Sequence, residues 1–97
     1  MLIRLRQGSW SEAIDTTALR YVQFNRNAIV FPPRGDWPGY FPCENESYAR
    51  QIILAIFTAW ETGAGQIDIR HDLRCEYRNA DGDELYKNAV LEINCDA

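Results

Sequence analysis

Apolar residues recur at helical spacing over residues 46–62, and this stretch predicts the chain's principal helix. Neither Gly nor Pro interrupts it. Asn45 or Ser47 can cap its first turn by accepting a backbone N–H that has no partner within the helix. Gly63 and Gly65 follow, where a left-handed cap would end it. The helix carries two apolar stripes: Tyr48, Ile52, Ala55, Ile56 and Ala59 form one, and Ala49, Ile53, Phe57 and Trp60 the other. A surface helix of a small domain needs a single stripe about 100° wide. A helix sunk deep in its own core would use both. In a chain this short the favoured expectation is that one stripe packs on the domain's own sheet and the other meets another chain, because large uncovered apolar patches mark interfaces. Ile52, Ile53, Ile56, Phe57 and Trp60 are the candidate interface residues.

Elsewhere the period shortens to two. Leu2–Gln7 alternates Ile3 and Leu5 against Arg4 and Arg6, which predicts a half-buried strand. Residues 8–11 break it, and residues 12–17 read as a polar connection with at most one helical turn. Residues 19–24 and 28–31 read as the two arms of a hairpin turning at Asn25-Arg26-Asn27. Pro32 and Pro33 stop the second arm, since Pro cannot donate to a ladder. Residues 32–45 form a stiff loop with four prolines and two glycines, carrying Trp37, Tyr40 and Phe41. After the helix come a strand at 65–71 continued or edged by Cys75-Glu76-Tyr77, a turn at 79–83 marked by Asp81-Gly82, and a last strand at 86–95. The order is three strands, helix, two strands. That is the order of an OB-fold, a five-stranded partly open barrel with its helix between strands three and four. An α+β sandwich with the helix across a meander is the rival.

The 97 residues suit one domain with a single modest core. The net charge of −4 is local. Residues 1–71 hold seven basic and seven acidic side chains, whereas residues 72–97 hold three and seven. An acidic final stretch argues against direct binding of nucleic acid, which calls for basic patches, and suits solubility or a basic partner surface. No run is long enough to span a bilayer. The opening Met-Leu-Ile-Arg-Leu-Arg lacks the apolar core and cleavage site of a secretion signal, so either the protein is cytosolic or the sequence starts at a mature end, and the residues do not choose between the two.

Chemistry-bearing groups are few. Cys43, Cys75 and Cys95 leave one thiol over in any pairing, and they lack zinc-module spacing; His71 is the sole His. Cys43 with His71 would need a third group to orient the imidazole, and Asp72, its neighbour on a strand, points to the opposite face. Residues 79–84 hold several oxygen ligands without the spacing of a calcium loop. Arg34-Gly35-Asp36 is best read as a turn. No catalytic set and no cofactor motif emerges, so the expectation is a non-enzyme without cofactor. The loop aromatics count for more. Trp37, Tyr40 and Phe41, with Trp10, either plug the open end of a barrel or offer ligand contacts, held among prolines that limit the entropy lost on ordering.

A Cys before the helix (Cys43), a long apolar helix ending in Thr62-Gly63, an alternating strand, a later Cys (Cys75) and a final Ala89-Val90-Leu91-Glu92-Ile93 strand resemble the OB-fold B subunits of pentameric toxins of the subtilase-cytotoxin and pertussis-toxin type. The resemblance covers roughly residues 43–95. It implies an OB-fold, a disulfide between Cys43 and Cys75, ring-like self-association through the helix, and binding of sialylated or other glycans. A Cys43–Cys75 bond would in turn imply an exported protein. The expected function is therefore a non-catalytic, self-associating module with a glycan or protein ligand at Trp37, Tyr40, Phe41 and Trp10. The alternative is a small acidic intracellular inhibitor, of phage type, that occupies a basic nucleic-acid-binding surface of a host protein.

Overall fold

The computed structural model describes residues 1–96. It is an α+β fold built mostly of strands. The first two strands, β1 (Leu2–Gln7) and β2 (Trp10–Asp15), form a hairpin across Gly8-Ser9, with Gly8 at φ 59°. A 3-10 turn (Thr16–Ala18) leads to a meander of β3 (Gln23–Asn25), β4 (Ala28–Val30) and β5 (Tyr40–Pro42). Helix α1 (Glu46–Glu61) follows, then β6 (Gln66–Asp72), a short hairpin of β7 (Glu76–Arg78) and β8 (Glu84–Tyr86), and β9 (Val90–Asp96).

The main sheet has the order β2-β1-β6-β9, with β1 and β6 parallel and the other pairs antiparallel. Its inner face presents Ile3, Leu5, Ile14, Ile67, Ile69 and His71, all fully buried. Its outer face is polar. Arg6 pairs with Asp68 at 3.1 Å, and Arg70 with Asp72 at 2.6 Å and Glu92 at 3.4 Å. Such exposed pairs each add at most about 1 kcal/mol. The second sheet, β3-β4-β5, packs from the other side, so that α1 lies against β3 and β4 as well as β6 and β9.

Local chemistry explains the helix. The Asn45 side chain accepts the Tyr48 N–H at 3.0 Å, Glu46 and Arg50 pair one turn apart, and Gly63, at φ 74°, takes the left-handed position after the Thr62 cap.

Three expectations need correction. Nine strands are present among the described residues, not five, and the two sheets do not close into a barrel. Residues 10–15 are a full strand, because Gly8-Ser9 makes a two-residue hairpin turn, and the proline-rich loop contributes β5, whose edge position tolerates Pro42. Finally, Ile52, Ile53 and Ile56 belong to the domain's own core, at 0, 8 and 0% exposure. The meander strands β3 and β4 on one side, with β6 and β9 on the other, cover the flank that was expected to stay bare. Of the five candidate interface residues only Phe57 and Trp60 remain exposed, and Leu54 joins them.

Asp72 ties the two halves of the main sheet. Its carboxylate accepts the Gly8 N–H at 2.8 Å and pairs with Arg70, and these contacts, the Gly8 bond first, hold its pKa below the usual carboxylate value. A lowered folded-state pKa contributes stability that is present above the unfolded value, about 3.9, and lost as pH falls through the folded one. Thermal melts of Asp72→Ala and the parent chain are therefore expected to differ at neutral pH and to converge below about pH 4.

Candidate functional site

The hairpin turn and the proline-rich loop bring three of the four predicted ligand aromatics to one surface. Trp10 opens β2 on the inner side of the main sheet, opposite Gln7. Trp37 is presented by a tight turn in which Arg34 and Trp37 exchange backbone hydrogen bonds at 2.9 Å, with Gly35 at φ 54° between them. Arg34-Gly35-Asp36 is thus a turn, as its glycine suggested. The Trp10 and Trp37 rings meet at 5.2 Å between centroids, tilted by 48°. Beneath them lie Phe31, 5.7 Å from Trp37, and Phe41, 6.1 Å from Trp10. Tyr40 stands beside the pair and is 48% exposed. Phe41 is a correction: it is fully buried, and it supports the platform from beneath and reaches only the floor of the smaller cleft.

Hydrogen bonds fix the platform. The Trp37 indole N–H donates to the Tyr40 carbonyl at 3.1 Å. The Gln7 amide donates to the carbonyls of Pro42 at 2.7 Å and His71 at 3.1 Å, clamping β1 to β5 and β6. Arg34 donates to the Ala13 carbonyl at 2.6 Å and stands 3.9 Å from the Glu12 carboxylate. Two clefts flank the tryptophan pair. One, of about 260 Å³, is lined by Gln7, Trp10, Trp37, Pro38, Tyr40 and Phe41. The other, of about 420 Å³, adds Glu12, Arg34 and Asp36 to the two tryptophans. An aromatic floor thus carries one guanidinium and two carboxylates at its rim. Among the described residues neither the Trp10 indole N–H nor the Asp36 carboxylate has a hydrogen-bond partner, so both are free to meet a ligand.

The expected Cys43–Cys75 disulfide is not formed: all three thiols are free, Cys43 buried and Cys75 and Cys95 exposed. Cys43 lies in the core with its Sγ 3.8 Å from the Phe41 carbonyl, and burial pushes its pKa up to about 12. A thiol without thiolate character is inert. Brief alkylation of the native protein is expected to label Cys75 and Cys95 and spare Cys43, and unfolding to expose the third site; intact mass checks the count.

His71, weighed above as a partner of Cys43, lies near the end of β6. It is fully buried and connects three segments. The Glu44 N–H donates to Nε2 at 2.9 Å, which makes Nδ1–H the donor to the Val90 carbonyl at 2.8 Å. Tyr48 packs on the ring at 4.8 Å. Both ring nitrogens are thus engaged with backbone groups, and neither is bonded to Cys43. The signal in the sequence was the phase of the strand, since His71 alternates with Ile67 and Ile69 on the apolar face.

No family model, no curated protein and no solved structure matches this chain.

Proposed function

We propose that the protein is a non-catalytic binding module whose ligand sits across the Trp10–Trp37–Tyr40 surface. The observation that carries this reading is the preassembled tryptophan pair, drawn from two distant segments, with unpartnered polar groups at its rim. Aromatic faces suit the C–H faces of a sugar ring, and carboxylate and guanidinium groups suit its hydroxyls. The rim holds Glu12, Asp36 and Arg34, an excess of one negative charge, which favours a neutral glycan over a sialylated one. Self-association through the helix rests on Leu54, Phe57 and Trp60, which are exposed together on one side of α1.

Tyr40→Ala removes a half-exposed ring and leaves the supporting bonds in place. On an array of neutral and sialylated glycans the parent chain is expected to bind neutral members, and Tyr40→Ala and Trp10→Ala to lose at least tenfold in affinity. An array silent to the parent chain would remove the sugar ligand and leave a protein ligand for the same surface.

A second reading, the acidic inhibitor of a basic surface, is favoured by the β7–β8 hairpin. Exposed Glu76, Asp81 and Asp83 lie on it, it pairs with neither of the larger sheets, and the molecule measures 51 × 28 × 23 Å. Capture of a basic partner that weakens with rising salt, and is lost in Asp81→Asn with Asp83→Asn, is its test.

A further inference from the structure

Strand β9 is an edge of the main sheet, and its only guards are the charges of Glu92 and Asp96. Its register with β6 runs unbroken from Asp72↔Val90 to Gln66↔Asp96, with no bulge, and it contains no Pro, Gly or Lys. The other edges of the two larger sheets are blunted: Arg34 binds the Ala13 carbonyl of β2, β5 ends in Pro42, and β3 has three residues. A long regular edge presents a row of backbone donors and acceptors that another strand can pair. Side chains point the same way. Leu91 and Ile93 share the inner face with fully buried His71 and Ile69 yet are only partly covered, and Cys95, beside buried Ile67, is exposed.

We infer that β9 pairs antiparallel with the β9 of a second copy, about a two-fold axis at Ile93, to give a continuous eight-stranded sheet. The sequence of the strand selects both partner and register. Centring on Ile93, the middle of Val90–Asp96, overlaps the whole strand and keeps inner faces together. It places Ile93 against its own copy, Leu91 against Cys95, Glu92 against Asn94 and Val90 against Asp96, with no like charges opposed. Centring on Glu92 opposes two glutamates, and centring on Asn94 opposes Glu92 to Asp96 twice, both unfavourable. A two-fold interface needs such self-complementarity. This face is separate from Leu54, Phe57 and Trp60, so it stands whether or not the helix also associates.

The register makes a specific prediction for the full chain. In a Cys75→Ser background, Leu91→Cys lies directly opposite Cys95 of the other copy, whereas the two residues are too far apart along one strand to pair within a chain. Mild oxidation is expected to give a reducible covalent dimer from this variant, and none once Cys95→Ser is added. Without cross-linking, Asn94→Lys faces Glu92 of the other copy twice and should tighten the dimer in sedimentation velocity, while Asn94→Glu should weaken it, each by about two- to thirtyfold. Asn94 is exposed but stands opposite Asp68 in its own sheet, so thermal melts of both variants accompany the sedimentation and separate an effect on the fold from one on the dimer. A monomer up to millimolar concentration overturns the inference, as does a dimer indifferent to both Asn94 variants. A dimer that instead dissolves in Phe57→Ser with Trp60→Ser overturns it in favour of the helix face.

Discussion

Replacing His71 with alanine is expected to cost about 4 kcal/mol and to lower the melting temperature by roughly 15–30 °C. The argument begins with burial. The imidazole is fully enclosed between β6 and α1, and it satisfies the Glu44 N–H and the Val90 carbonyl at once. Removing it leaves two backbone groups without their partner and opens a cavity beneath Tyr48. Each unsatisfied group costs about 1–3 kcal/mol, and the lost packing adds to that. A domain of this size holds only about 5–15 kcal/mol in total, so the variant sits near the edge of folding. His71→Gln, which retains both a donor and an acceptor, should recover part of the loss. Urea unfolding of the three proteins checks the order, and a variant as stable as the parent would show that Glu44 and Val90 find other partners.

Gly39→Ala should be nearly as severe, for a different reason. Gly39 sits at φ 85°, a conformation that costs a residue with a Cβ about 1–2 kcal/mol. It also accepts the Phe31 N–H at 2.7 Å, and a Cβ here would overlap the Phe31 carbonyl. The β4–β5 ladder would have to part, and with it the bond from Trp37 to the Tyr40 carbonyl. A total loss of about 3 kcal/mol or more is expected, together with a changed tryptophan fluorescence. Gly63→Ala is the control. Gly63 has a similar φ of 74° but open space where the Cβ would go, so it should lose only the conformational part, about 1–2 kcal/mol. Equal losses at the two positions would show that the Phe31 approach costs nothing.

Both predictions concern residues whose importance the local sequence shows poorly, and the contrast with what it shows well is instructive. β1 and α1 were legible almost to the residue, because Leu2–Gln7 alternates cleanly and Asn45 and Gly63 carry the stop signals that backbone chemistry requires. The turns at Asn25-Arg26-Asn27 and Asp81-Gly82 were legible for the same local reason. β2 was missed although Gly8-Ser9 is a recognised hairpin dipeptide, because only Trp10 and Ile14 mark its inner face and Glu12 stands between them. In the aromatic surface, Trp37 and Tyr40 were picked out by their proline-rich setting and Trp10 was grouped with them. The ring contact between Trp10 and Trp37 was not legible, because it depends on how the β1–β2 hairpin meets the loop.

By itself, then, the sequence determined β1, α1 and β6 and which face of each is apolar. These follow from side-chain periodicity and from the few residues that tolerate left-handed or capped backbone. Only the tertiary structure decided what covers each face. The parallel pairing of β1 with β6 joins segments far apart in the chain, and no local period encodes it. That pairing, together with the meander packed against α1, turned Ile52, Ile53 and Ile56 from interface candidates into core, left Phe57 and Trp60 outside, and set His71 between Glu44 and Val90. An apolar stripe records that burial is favourable. Whether its own domain or a second chain supplies the burial depends on the area the rest of the fold can bring against it.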